Sequence, residues 1–184
     1  MQSDCSSVPL DTLGVLRVRG ADVVPFLQGQ LSSDVTLLSA ARSLLAGYHN
    51  PQGRAIALLR LLQLAQDDVI AVLPRELIAS VAQRLAKFVL RAKVRLADES
   101  GEWSITGVVN GPGPAQAWPA NLDSATRLGD AIVVRVARQP ARWLLVSPTA
   151  RVPALAGCTP AAADDWLRLA IEAGEPQVYA ATSE

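Results

Sequence analysis

The stretch from Ala55 to Ala65 constrains this chain more than any other. It is apolar apart from Arg60 and Gln63 and falls far short of the roughly 20 residues that a membrane-spanning helix requires. Asp67-Asp68 turns it into a second apolar run, Val69 to Leu73, so Arg54 to Ala65 and its successor read as buried strands of an antiparallel meander. On the upstream side Leu44 to Tyr48 is a strand, and His49-Asn50-Pro51-Gln52-Gly53 is the turn between them. Pro74 then takes a first helical position. Leu77, Ile78, Val81, Leu85, Phe88 and Val89 share one helical face, which predicts a helix over Pro74 to Ala92.

The flanking segments give an α+β pattern. Val15 to Arg19 is a strand ending at Gly20, and Asp22 is placed to cap a helix reaching about Leu31, with Pro25 in its first turn. Lys93 to Ala97, Trp103 to Val109, Ile132 to Val136 and Trp143 to Val146 read as further strands, with Gly111-Pro112-Gly113-Pro114 as a hard break. Thr159-Pro160 opens a last helix that continues over Ala161 to Glu172 and stops at Gly174 and Pro176.

With 184 residues the chain can bury about 70% of its unfolded surface, and half of those residues are apolar, which excludes intrinsic disorder as the main state. The 17 basic and 17 acidic side chains cancel, leaving no global field to draw in a polyanion, so direct nucleic-acid binding is not expected. Cys5 and Cys158 lie far apart, with no CxxC and a single histidine, His49, so neither a zinc site nor a disulfide framework is expected. The polar start, Met1 to Pro9, lacks the basic and apolar regions of a signal peptide, and no membrane segment is found. A cytoplasmic location is the expectation.

Few residues announce chemistry. Arg84, Lys87, Arg91, Lys93 and Arg95 form a cationic cluster that reads as a solvated helix face and strand edge, or else as a receptor for an anionic ligand tail. His49 belongs to no recognisable catalytic motif and reads as a loop histidine. Glu172 stands at a helix C-terminus, where a carboxylate opposes the macrodipole, and reads equally as a ligand group or an exposed helix end.

Four segments, FLQGQLSSDV (26–35), LLAGYHNPQGR (44–54), LAKFVLRAKVRLAD (85–98) and WLRLAIEAGEP (166–176), resemble the YgfZ-type folate-binding proteins in order and spacing. These proteins are relatives of the glycine-cleavage T-protein, an aminomethyltransferase. The resemblance runs from about Leu13 to Glu184. It implies a T-protein-like folate-binding fold of two interleaved α+β domains with mostly antiparallel sheets. One domain is expected over 1–48 plus 148–184, and a ferredoxin-like one over 49–147. It also implies a site for tetrahydrofolate or a derivative, and a role in assembly or repair of iron–sulfur enzymes, including those that modify tRNA. By the same resemblance Glu172 contacts the pterin, where two carboxylate oxygens accept in parallel from the ring N–H and amino group, and Trp166 is associated with folate binding.

The chain also departs from that pattern. Ala57 and Leu58 stand where the T-protein carries its activating aspartate pair, and a second family tryptophan falls on Leu13. The KGCYxGQE signature and the C-terminal barrel of the family are absent from this sequence. A folate binder without turnover is therefore expected. Genuine aminomethyltransferase activity and an interaction module that has lost folate binding are the alternatives. Apolar surface left open without the barrel leads to the further expectation of a homodimer.

Overall fold

The computed structural model describes residues 5–111 and 118–183, so Pro112, Gly113 and Pro114 of the expected break lie outside the described residues. The chain forms two compact units, each assembled from two stretches: 1–11 with 101–176, and 12–100 with 177–184. This corrects the expected division into 1–48 plus 148–184 and 49–147. The boundary falls earlier because strand pairing ties the first long strand to the central meander.

In the unit 12–100 plus 177–184, strand β2 (Leu13–Arg19) leads to helix α1 (Val23–Gln28), then β3 (Leu44–His49), β4 (Ala55–Ala65) and β5 (Asp68–Pro74). Helix α2 (Arg75–Ala86) and strand β6 (Arg95–Asp98) complete it. The sheet order β3-β4-β5-β2-β6, antiparallel throughout, contains the β-α-β-β-α-β ferredoxin-like motif in β2, α1, β4, β5, α2 and β6, with β3 added at one edge. The ferredoxin-like unit therefore begins at Thr12 and ends at Ser100, and does not span 49–147.

The alternation of β4 and β5 places Leu59, Leu61, Ala71 and Leu73 in one core with Leu77, Ile78, Val81 and Leu85 of α2. Arg17 lies part-buried in this unit. It donates to Asp68 at 2.5 Å and Glu99 at 2.9 Å, and the hydrogen bond to Asp68 raises its pKa further above the arginine range.

Two helix predictions change. Asp22 precedes α1 without a side-chain cap; its Oδ2 instead accepts from the Lys93 backbone N–H at 2.8 Å, tying the start of α1 to the approach of β6. Helix α2 ends at Ala86 rather than Ala92. Phe88, Val89 and Ala92 each donate to the carbonyl three residues earlier, and Leu90 adopts a left-handed φ of 37°, so the helix tightens and stops. Phe88 consequently leaves the apolar stripe and is 52% exposed.

The other unit is built on a six-stranded sheet ordered β11-β1-β7-β10-β9-β8. Its strands are β1 (Cys5–Pro9), β7 (Trp103–Val109), β8 (Ala125–Leu128), β9 (Ala131–Ala137), β10 (Arg142–Pro148) and β11 (Cys158–Pro160), with helix α3 (Ala163–Glu172) after them. All pairs are antiparallel except β1 with β11. On one face Trp143 packs with Val133 and Leu145; its indole N–H donates to the Pro119 carbonyl at 2.9 Å and Arg135 covers its ring at 4.2 Å.

The parallel register sets Cys5 opposite Cys158, with Cα atoms 4.4 Å apart, and the two form a disulfide. This overturns the expectation drawn from their wide sequence separation, because a β-ladder erases that distance. Thr159 and Pro160 accordingly belong to a strand, and α3 starts later, at Ala163. Among the described residues no helix is long and apolar enough to cross a membrane, and no group of three or more potential metal ligands is found.

Candidate functional site

Both residues expected to bind folate lie on α3, in the unit 1–11 plus 101–176. Trp166 lies on this helix, half-buried, with its ring against the Cα of Gly107 in β7. A Cβ at position 107 would sit 2.5 Å from the indole Cε3 and 2.6 Å from Cζ3, so only glycine lets the ring approach the strand this closely. The Arg142 guanidinium of β10 covers the same ring, 4.9 Å from its centroid. Trp166 thus fastens α3 to the sheet through a packing contact and a cation–π contact.

Glu172, one and a half turns further along, faces outward. Its Oε1 accepts from Arg168 Nη1 at 2.9 Å, and both side chains are more than half exposed. An exposed pair at i,i+4 contributes only about 0.3–0.5 kcal/mol, so a ligand carrying two parallel donors can displace it. Arg168 also offsets the unfavourable position of this carboxylate at the helix C-terminus.

The residue that sequence reasoning missed is Glu175. Gly174 takes φ 65°; its N–H donates to the Ile171 carbonyl at 3.0 Å while the Glu175 N–H donates to the Ala170 carbonyl at 2.9 Å. These two bonds are a Schellman motif, whose left-handed position glycine fills without a Cβ penalty. The reversal carries Glu175 back to Arg142, whose Nη2 donates to its Oε1. Arg142 is completely buried, and its Nε and Nη1 have no partner among the described residues. Desolvation lowers its pKa, and the Glu175 carboxylate opposes that shift. A cavity of about 530 Å³, lined by Leu122, Val136, Arg138, Gln139, Ala173 and Glu175, opens beside this pair. The Glu-Ala-Gly-Glu-Pro segment therefore holds two carboxylates with different tasks: Glu172 points out on a weak exposed pair, and Glu175 neutralises a buried cation.

In the other unit the expected departures lie in the sheet. Ala57 is wholly buried in β4 opposite Tyr48, and Leu58 lies opposite Gly47, so neither position offers a carboxylate. Lys93 and Arg95 of the cationic cluster lie at and just before β6, where Arg95 pairs in register with Arg19.

The arrangement of sheets and helices is similar to that of T-protein relatives. Over 79% of this chain and 42% of the other, it resembles the glycine cleavage system aminomethyltransferase T from Bartonella henselae, with a TM-score of 0.65 at 14% identity. The heterotetrameric sarcosine oxidase from Corynebacterium sp. U-96 matches 79% of this chain and 76% of its own, with a TM-score of 0.53 at 13% identity. These likenesses define a T-protein-like α+β fold.

In sequence the chain is 28% identical over 191 residues to the tRNA-modifying protein YgfZ of Yersinia pseudotuberculosis serotype O:1b, covering 96% of this chain and 56% of that protein. The same-named protein of serotype IB is 26% identical over 187 residues with the same coverage. The resemblance to the YgfZ-type folate-binding family read from the four segments is thus borne out. The chain spans about half the length of these curated relatives. No protein-family model matches it.

Proposed function

We propose that this chain binds tetrahydrofolate or a derivative through Glu172, with Trp166 fixing the helix that presents it, and that it does so without aminomethyl transfer. The observation that carries the reading is the state of Glu172: an exposed carboxylate, restrained by one displaceable i,i+4 partner, on a helix locked by Trp166 against Gly107. Its two oxygens suit the paired donors of a pterin edge. On this reading the bound folate supports iron–sulfur enzyme assembly or repair in the cytoplasm, tRNA-modifying enzymes among them.

The test is titration calorimetry with tetrahydrofolate. Glu172→Gln keeps shape and packing while removing the charge, and should weaken binding by about 1.5–3 kcal/mol, or roughly tenfold or more in Kd. Equal affinities in two equally folded proteins would remove Glu172 from the site.

A second reading, aminomethyltransferase activity, is favoured by the T-protein-like fold. Against it stands the apolar pair Ala57 and Leu58. Folate-dependent release of ammonia from an aminomethyl-lipoyl carrier would decide for the enzyme.

A further inference from the structure

The Cys5–Cys158 disulfide joins the two strands of the parallel pair at one edge of the six-stranded sheet, and the chain has no other cysteine. The outermost strand, β11, is three residues long, and its last residue, Pro160, has no N–H to give to a ladder. Besides the disulfide and that short ladder, the segment is tied to β1 by two bonds. The Ala161 N–H donates to the Ser7 carbonyl at 2.9 Å, and Thr159 Oγ1 donates to the Cys5 carbonyl at 3.3 Å.

Helix α3 follows directly on β11. None of its ten residues is buried, and Ala162 before it supplies no side-chain cap. Leu167 and Ile171, one turn apart, are 43% and 70% exposed. The helix meets the sheet through Trp166 against Gly107 and, just past its end, through Glu175 on Arg142. A segment with so few buried contacts belongs to the low-stability end of a structure, where it opens without the rest. The covalent link at Cys158, just ahead of the helix, is therefore a main restraint on it. The two sulfurs of that link differ in access: Cys5 is 5% exposed, whereas Cys158, on the edge strand, is partly open to solvent.

We infer that this disulfide is a reversible latch: closed, it holds β11 and α3 on the sheet; opened by a dithiol, it lets the segment 158–172 detach while β1, β7, β8, β9 and β10 stay folded. A thiolate of the dithiol attacks Cys158 Sγ, the S–S bond breaks, and Cys5 leaves as its thiolate. The second thiol of the reductant then attacks the mixed disulfide, which releases Cys158 and leaves the reductant as an intramolecular disulfide. Two electrons pass to the protein sulfurs, and the two thiol protons of the reductant end on Cys5 and Cys158. The helix so released is the one that carries Trp166 and Glu172, but the latch stands whether or not that helix binds folate.

The test is amide hydrogen exchange on the full chain, oxidised and after treatment with dithiothreitol. Loss of a cross-link also lowers the stability of the whole unit and speeds exchange throughout it, so the readout is the difference between segments. On reduction, protection over 158–172 should fall at least about tenfold further than protection over β7 and β10. It should return when dithiothreitol is replaced by oxidised glutathione. Cys158→Ser in non-reducing buffer should match the reduced wild type, and residues 12–100, which hold no cysteine, should be unaffected. Limited reaction with glutathione, quenched in acid, should leave the mixed disulfide on Cys158. An equal fall over 158–172, β7 and β10 would make the link a staple of the whole unit and overturn the latch. So would unchanged protection on reduction, or protection that does not return on reoxidation. A mixed disulfide found on Cys5 would overturn the direction of attack.

Discussion

Glu175→Gln should destabilise the unit containing α3 although the residue is exposed enough to look dispensable. Its carboxylate, with the side chain 31% accessible, is the charge partner of a fully buried guanidinium. Breaking a buried pair by removing one partner costs about 3–5 kcal/mol when the remaining charge is stranded. Glutamine keeps an acceptor at the same place and water reaches the Glu175 end, so the expected cost is about 2 kcal/mol. Arg142→Met should behave oppositely. It gives up a cation–π contact of about 0.5–2 kcal/mol but also removes a desolvated charge and the two unpartnered donors Nε and Nη1, leaving a change within about 1 kcal/mol.

The double variant should therefore be more stable than Glu175→Gln alone. Urea unfolding followed by tryptophan fluorescence reads this unit selectively, because all four tryptophans, Trp103, Trp118, Trp143 and Trp166, belong to the stretch 101–176. With a urea m-value of about 2 kcal/mol/M, a 2 kcal/mol loss lowers the midpoint by about 1 M. An unchanged midpoint in Glu175→Gln, or a double variant weaker than either single one, would refute the stranded-charge reasoning.

Two other outcomes follow from the same unit. Gly107→Ala drives a Cβ into the indole of Trp166 and should cost about 1–3 kcal/mol by overpacking, with α3 displaced and the Trp166 emission shifted; wild-type spectra and midpoint would contradict the contact. Cys5→Ser opens a cross-link between residues 153 apart in sequence and should lower the stability of this unit by about 2–5 kcal/mol, matched by wild-type protein in dithiothreitol; no shift in either would mean the link does not restrain the unfolded chain.

The meander from Leu44 to Leu73 and the start of the helix after Pro74 were legible because turn residues bound long apolar runs and a 3.6-residue period follows. Three short strands were not. Cys5–Pro9 is short and polar on its face, Ala125–Leu128 mixes Thr126 and Arg127 into four residues, and Cys158–Pro160 contains a proline. Each exists only because a neighbouring strand supplies its hydrogen bonds, information that no local window contains. The same non-local pairing brings Cys5 to Cys158 and moves the unit boundary to Asp11, since the partner of β2 lies more than fifty residues downstream.

For the site, local pattern located the right segment and misjudged which charge does what within it. Glycine after a helix announces a reversal, and a reversal determines that the residue following it, Glu175, returns toward the sheet while Glu172 stays on the outer turn. The sequence also displays Arg168 four residues before Glu172, the spacing of an ordinary surface pair, so the apparent electrostatic anomaly at Glu172 had a local answer. What could not be foreseen is the receiving cation, because Arg142 sits on a strand beside Trp143 in a setting that suggests a solvent-facing alternate position. The Trp166 ring lies 4.9 Å from its guanidinium, and Trp166 can lie there only because Gly107 opens the strand beneath. Binding through Glu172 and folding through Glu175 are therefore separable: Glu172→Gln should leave the urea midpoint of this unit unchanged while altering tetrahydrofolate affinity, whereas Glu175→Gln should move the midpoint first. If instead the two substitutions shift stability together, the two carboxylates share one network, and the outward position of Glu172 would no longer support a role in ligand binding.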